Sequence, residues 1–275
     1  MKRFIRDFEL VIKPPSGKEI VVRPPQRIVF SCDKSITGGL NKLSLQAFNL
    51  NEQNRLAIVK DAEERKRIPI LLKVGYVDDI EVIFQGSIHT SSNDRQGPDL
   101  ISTIEAYDGG EDYFSGYIAA TVANKEQAVN AVVGGLDNVN RGKFTQLKEI
   151  TRPKVLIGNP LKILPSLLQQ NETFYIDNEQ LFIVKDDEVT EAFIPLVNAK
   201  TGLLKTPQRE AQKVTFETLM NPSIKLGSRC KLESVNAPYL NGVIKIESMN
   251  YSGDSDGNDW SQSVTGISSS NFKVL

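Results

Sequence analysis

The chain has 275 residues, enough for one large domain or two to three small ones, and 40% of them are hydrophobic, so a core forms without disulfide or metal staples. The formal net charge is -1 and the pI about 6.0, which excludes nucleic-acid binding through a general excess of Lys and Arg and leaves room only for a local basic patch. Two isolated cysteines, Cys32 and Cys230, and a single histidine, His89, exclude a structural zinc cluster and any metal site that needs two histidines from one chain.

The opening "MKRFIRDFEL" is charged and lacks the apolar stretch of a secretory signal. No apolar run approaches the roughly 18 residues that span a membrane. The expectation is a product made in a cytoplasm, with both cysteines reduced and no membrane insertion. The first hundred residues then read as strands. "DFELVIKP" and "KEIVVRPP" are β-branched and end at Pro14–Pro15 and Pro24–Pro25. In "RIVFSCDKS" the alternation puts Ile28, Phe30 and Cys32 on one face, and "NKLSLQAFNL" does the same with Leu43, Leu45 and Ala47. "NEQNRLAIVKDAEERKR" turns polar: Asn51 caps a short helix with Leu56 and Val59 on one side, and the charges from Lys60 to Arg67 make a solvated face. Strands resume in "RIPILLKVGY", "EVIFQGSIHTSS" and "DLISTIEAYDGG".

The middle of the chain changes period. Ala128, Val129, Val132 and Val133 have helical spacing, ended by Gly134–Gly135. A second helix fits "NPLKILPSLLQQ" through Leu161, Leu164, Leu167 and Leu168, with Pro165 marking its start or a kink. Two apolar runs around Asp177–Asn178–Glu179–Gln180 predict a hairpin. "KVTFETLMNP", "SRCKLESV", "GVIKIESMNYSG" and "WSQSVTGI" return to strands.

The two strand-rich parts match each other without gaps when the first is shifted by 160 positions. Ile70 then falls on Cys230, Leu72 on Leu232, Phe84 on Ile244, Ser92 on Ser252, Asp94 on Asp254, Gly97 on Gly257, Asp99 on Asp259, Leu100 on Trp260 and Ile104 on Val264. "NDRQGPDL" and "GDSDGNDW" thus occupy equivalent places between strands. Shared turn chemistry is the plain alternative, since Gly and Asp are the residues turns use.

The same stretch invites a metal reading. A helix–loop–helix calcium loop needs oxygen ligands at positions 1, 3 and 5, Gly at 6 and Glu at 12. Counted from Asp254, the first three are Asp254, Asp256 and Asn258, but position 6 is Asp259 and position 12 is Thr265. Trp260 reads as a core or interface anchor. His89 in "SIHTSS" has hydroxyl neighbours, but adjacent strand residues point to opposite faces, and no G-x-S-x-G elbow exists. The paired glycines of "SITGGLNKLS" lack phosphate-loop spacing and read as a turn. A carboxylate pair for glycan cleavage does not stand out from ordinary surface acids, and one Trp is few for a glycan-active β-protein. No catalytic, cofactor-binding or metal site assembles. The expectation is a binding or assembly protein without enzymatic activity.

The order of several segments resembles the baseplate hub proteins of contractile-tailed phages and related prophage tails. They are "FELVI", "LNKLSLQAFNLNEQNR", "ILLKVGY" before "VIFQGSI", "DLISTIEAYDGG", "NPLKILPSLLQQNETFYIDNEQLFIV", "TGLLKTPQ" before "LMNPSIKLGSRCKLES", and "SGDSDGNDW" before the closing strand. The stretch 111–150 is the least typical. The resemblance implies a mainly β (α+β) fold, with two tube-like β-barrel or sandwich domains over 1–110 and 199–275 bracketing a small α/β region over 111–198. It further implies a homotrimer that adapts a six-fold tail tube to a three-fold central spike. Other baseplate proteins would be partners, and DNA would pass only transiently through the lumen. No cofactor is implied. Such a protein resides in the virion tail baseplate, after assembly in the host bacterial cytoplasm. A six-fold tube-end or distal-tail ring, a secretion-spike hub and a glycan-binding or glycan-cleaving β-protein are the alternatives.

Overall fold

The computed structural model describes residues 5–15, 17–37, 39–64, 66–146, 153–269 and 271–275. The first four residues of the charged N-terminus, Gly38 of the paired-glycine turn and Arg65 of the charge run lie outside the described residues.

Apolar–polar alternation in the first hundred residues becomes seven strands: β1 (Arg6–Ile12), β2 (Ile20–Val22), β3 (Ile28–Ser35), β4 (Lys42–Phe48), β5 (Pro69–Tyr76), β6 (Asp79–Gln96) and β7 (Asp99–Tyr107). Ile28, Phe30 and Cys32 of β3 and Leu43, Leu45 and Ala47 of β4 are buried on a common face. Between β4 and β5 lies helix α1 (Glu52–Ile58), where Asn51 Oδ1 accepts the Asn54 N–H at 2.8 Å. The helix is rotated from the expected setting: Ile58 is buried, while Leu56 and Val59 are exposed. The chain leaving the helix fixes this rotation, because the Ser91 hydroxyl donates to the Ile58 carbonyl and the Lys60 and Ser91 backbones bridge.

The middle region contains α2 (Gly110–Ser115), β8 (Ile118–Val122), α3 (Lys125–Gly134), β9 (Asn140–Phe144), β10 (Lys154–Gly158), α4 (Pro160–Ile163), β11 (Glu172–Asp177), β12 (Gln180–Lys185), β13 (Glu188–Val189) and β14 (Leu196–Val197). Asn124 caps α3 through the Gln127 N–H, and Ala128, Val129 and Val132 face a separate small core. After α4 the chain tightens into a 3-10 turn, Leu164–Leu167, because Pro165 has no N–H with which to continue the helix. Leu161, Leu164 and Leu167 join the same core. The β11–β12 hairpin turns through Asn178 and Glu179, both left-handed at φ 54 and 58.

The last part supplies β15 (Gln208–Glu210), β16 (Lys213–Leu219), β17 (Arg229–Leu232), β18 (Gly242–Asp254), β19 (Trp260–Ser268) and β20 (Lys273–Val274). Both strand-rich parts enter one large sheet in the order β15-β16-β19-β18-β3-β4-β7-β6-β5-β1-β2, with β17 alongside β18 and β14 alongside β17. The fold is mainly β with a small α/β region, and its large sheet is open at both ends, so one chain does not close a barrel. A single large core spans both strand-rich parts.

The strand ladders contain the internal repeat. Order β3-β4-β7-β6-β5 recurs as β15-β16-β19-β18-β17. Lys42 pairs with Tyr107 and Phe48 with Ile101; at the matching places Lys213 pairs with Ile267 and Leu219 with Ser261. Strand β6 bulges at His89, between the pairs Ile88↔Ala106 and Thr90↔Glu105; β18 bulges at Glu247, between Ile246↔Gly266 and Ser248↔Thr265. The gapless shift of 160 holds for β5 and β17 and for β7 and β19, including Leu100 and Trp260. It slips to 158 for β6 and β18, so Phe84, Ser92 and Asp94 are not the ladder equivalents of Ile244, Ser252 and Asp254. The turn explains the slip: Gly97–Pro98 joins the first hairpin, and Ser255–Asn258 lengthens the second by two residues.

Candidate functional site

The face of the large sheet opposite its core is mainly polar over β19, β18, β3, β4 and β7, and gives way to an apolar row of Val21, Val11 and Leu71 over β2, β1 and β5. Because strand residues alternate, every second residue points there. One cross-strand row runs Ser261, Ser252, Ser31, Ser44, Glu105, Thr90. The next runs Ser263, Asn250, Asp33, Lys42, Tyr107. Hydroxyls and amides dominate, and its charges are engaged. Lys42 Nζ is 3.0 Å from Glu105 Oε1, and this hydrogen bond raises the lysine pKa above its ordinary value. Asn250 Nδ2 donates to Asp33 Oδ1 at 2.7 Å and to Ser31 Oγ at 2.9 Å. Thr215 and Thr265 hydroxyls meet at 2.9 Å. Such a surface presents little net charge and few apolar groups.

The Asp254–Asp259 turn lies at the end of this face. Its acids serve the protein itself. Arg27 forks onto Asp254, Nε to Oδ1 at 3.1 Å and Nη2 to Oδ2 at 2.7 Å, and this hydrogen bonding holds the Asp254 carboxyl below the usual range. Asp254 Oδ1 also accepts the Asp256 N–H at 3.1 Å, an Asx turn. The turn's carbonyls converge on another guanidinium: Arg6 donates to Asp254 O at 2.7 Å, Gly257 O at 2.5 Å and Asn258 O at 3.0 Å. Arg6 also stands 5.6 Å from the Trp260 ring centroid. Among the described residues no cluster of three or more His, Cys, Asp or Glu is arranged to hold a metal ion.

His89 sits at the β6 bulge, 5.4 Å from the Tyr107 ring and stacked on Phe114 at 5.8 Å. It faces aromatic neighbours, and among the described residues no serine is hydrogen-bonded to it. Gly39, at φ +91, turns the chain between β3 and β4. Cys32 and Cys230 are buried free thiols whose pKa burial pushes up to about 12.

On the core side of the sheet, a buried polar cluster docks the α/β region. Lys34, on the same parity as Phe30 and Cys32, pairs with Asp177 and donates to Asn178 Oδ1 at 3.2 Å. Asp108 accepts the Asn178 N–H at 2.6 Å and the Glu179 N–H at 2.8 Å, capping the hairpin turn. Burial, reinforced by neighbouring Asp177, pushes the Asp108 carboxyl up to about 7. Asn41 Nδ2 adds a bond to the Ile176 carbonyl at 2.7 Å. The α/β region therefore hangs on the side away from the polar face. No helix among the described residues is long and apolar enough to cross a membrane.

Solved structures share this fold. A 43 kDa tail protein of prophage MuSo2 from Shewanella oneidensis matches with a TM-score of 0.66 at 11% identity, over 94% of this chain and 96% of its own. A tail protein from Neisseria meningitidis MC58 also scores 0.66, at 7% identity and 98% of both chains. The E. coli c3393 protein, a component of the type VI secretion system, scores 0.65 at 10% identity, over 94% of this chain and 77% of its own. A search of curated proteins finds no match. The sequence itself matches the family profile "Baseplate hub gp41" over residues 33–266, which takes in most of both repeats of the sheet and the α/β region between them: the chain belongs to this family of phage-tail baseplate hubs.

Proposed function

We propose that three copies of this chain form the hub ring of a tail baseplate. In it the tube-type domains at 1–110 and 199–275 of each chain place six similar domains around one channel. The repeated strand order with matching ladders carries this reading, because a duplicated unit lets a three-fold ring present near six-fold symmetry. A tail tube on one side and a three-fold spike on the other are the partners such an adaptor fits. The polar face lines the lumen, where paired charges and hydroxyls let DNA pass without the phosphate contacts that would retain it. The α/β region then lies on the outer side. This role needs no catalytic residue. The fold likeness to a type VI secretion component makes the hub of a secretion spike the second reading, with the same trimer.

Native mass spectrometry of the purified chain tests the stoichiometry. A species of three 30.6 kDa chains is expected. A six-chain ring would assign the protein to the tube end instead, and a persistent monomer would remove the ring.

A further inference from the structure

The two repeats differ in one respect that exposes an interface. The far half of β18, from Ser248 to Asp254, carries β3 on its free side, with Asn250 opposite Asp33, Tyr251 opposite Cys32 and Ser252 opposite Ser31. The ladder equivalent in the first repeat is the far half of β6, from Thr90 to Gln96. Among the described residues the only backbone pairing on that side there is the Lys60–Ser91 bridge; the Asn93 amide side chain donates to the Arg55 carbonyl at 3.1 Å, and Ser92, Asp94, Arg95 and Gln96 are exposed. The ladder equivalent of β3 is β15, which ends the large sheet and whose three residues are all exposed. Among the described residues, one repeat thus has a groove side without a strand, and the other has a strand without a partner on its outer side.

We infer that β15 of one chain adds antiparallel to the far half of β6 in the next, repeating between chains the β3–β18 junction found within one. This rests on the ring reading and specifies how the ring closes. Carrying over the internal ladder puts Ser92 opposite Glu210, Asn93 opposite Arg209 and Asp94 opposite Gln208. The chemistry agrees: Asp33 pairs along the sheet with Lys42, as Glu210 does with Lys213, and Ser31 with Ser44, as Gln208 does with Thr215. Asn250 donates to Asp33 at the internal junction, and at the open one the Ser92 hydroxyl faces the Glu210 carboxylate. The lengths agree as well. Lys60 already occupies the Ser91 backbone through bonds of 2.8 and 3.3 Å, so an incoming strand stops at Ser92. Strand β15 stops at Glu210, because Ala211 is left-handed at φ 51 and starts the turn into β16. Closing the contact would also bury two exposed strand edges, the feature that otherwise invites aggregation.

The internal junction sets which residues come closest. Ile36 N donates to Glu247 O and Ser255 N to Ile28 O, so alternate pairs between them exchange backbone bonds, Tyr251–Cys32 among them, and Asn250–Asp33 is a close pair without them. Its counterpart Ser92–Glu210 then has Cα atoms about 4.5 Å apart, within disulfide reach. The test is the full chain carrying Ser92→Cys and Glu210→Cys, two exposed positions, with both natural cysteines buried. Mild oxidation is expected to give a non-reducing ladder ending at three chains. A Ser92→Cys/Arg209→Cys chain, whose thiols face opposite sides of the sheet, should lose that ladder. Trimers by mass that form no ladder, or equal ladders in both variants, would overturn the strand pairing and leave the hub reading intact. Absence of trimers in the unmodified protein would instead sink the hub reading itself.

Discussion

Replacing Trp260 by Ala should lower the stability of the folded chain by about 3–5 kcal/mol, the cost of emptying a large aromatic site in a packed core. The residue is 3% exposed and links the two repeats. Its ring meets Phe30 edge-on at 5.6 Å and 82°, and its indole N–H donates to the Gly75 carbonyl at 3.1 Å. Gly253 is part of the same fit, since a Cβ there would lie 2.4 Å from the Phe30 ring. The Ala variant loses the ring contacts and the indole hydrogen bond, while the Gly75 carbonyl keeps its place in the β1–β5 ladder opposite Asp7; Phe at the same position should lose mainly the hydrogen bond, about 0.5–1.5 kcal/mol. Urea unfolding followed by circular dichroism measures both. A loss under about 1 kcal/mol for the Ala variant would show that the ring is not buried as described.

Lys125→Met should be of similar size, about 3–5 kcal/mol, for a different reason. Lys125 Nζ is 2.7 Å from Glu172 Oε2, and the two side chains are 4% and 0% exposed. The pair ties the first turn of α3 to the start of β11. Glu172 also accepts the Gln169 N–H at 2.9 Å, while its other oxygen has no partner among the described residues. Removing the lysine alone strands a carboxylate in an apolar core. Adding Glu172→Leu should recover most of the loss, because an apolar pair of similar volume needs no compensation. A double-mutant cycle by urea unfolding reads this directly. A single-variant cost near zero would mean that water reaches the pair.

Much of this fold is visible in local pattern. Alternation in Ile28, Phe30 and Cys32 maps onto burial because a strand with one wet face has only one choice of inside. Asn51 caps α1 as the sequence predicts, and the structure adds the same amide cap at Asn124 and Asn159. The repeat is also legible, down to the equivalence of Leu100 and Trp260. Local pattern stops at contacts between distant residues. Nothing near Arg6 in sequence points to a turn 248 positions away, yet the guanidinium holds that turn's carbonyls. Lys34 reads as a surface residue until Asp177 and Asp108 surround it. The gapless alignment sets Ser92 on Ser252, because matching residues cannot reveal that one turn is two residues longer. Helix α1 buries Ile58 and leaves Leu56 and Val59 exposed, since a helix of two turns has too weak a period to resist the tether at Ser91.

The polar face has no local signature at all. Its serines and threonines are ordinary strand residues one by one, and only the ladder aligns them into rows. Their position in the assembled particle is therefore the decisive point. Electron cryo-microscopy of the purified ring should show three chains with six similar hairpins around a channel, and the row through Ser252, Ser31 and Ser44 on the channel wall. Six chains in the ring, or that row turned outward against solvent or another protein, would contradict the hub described above.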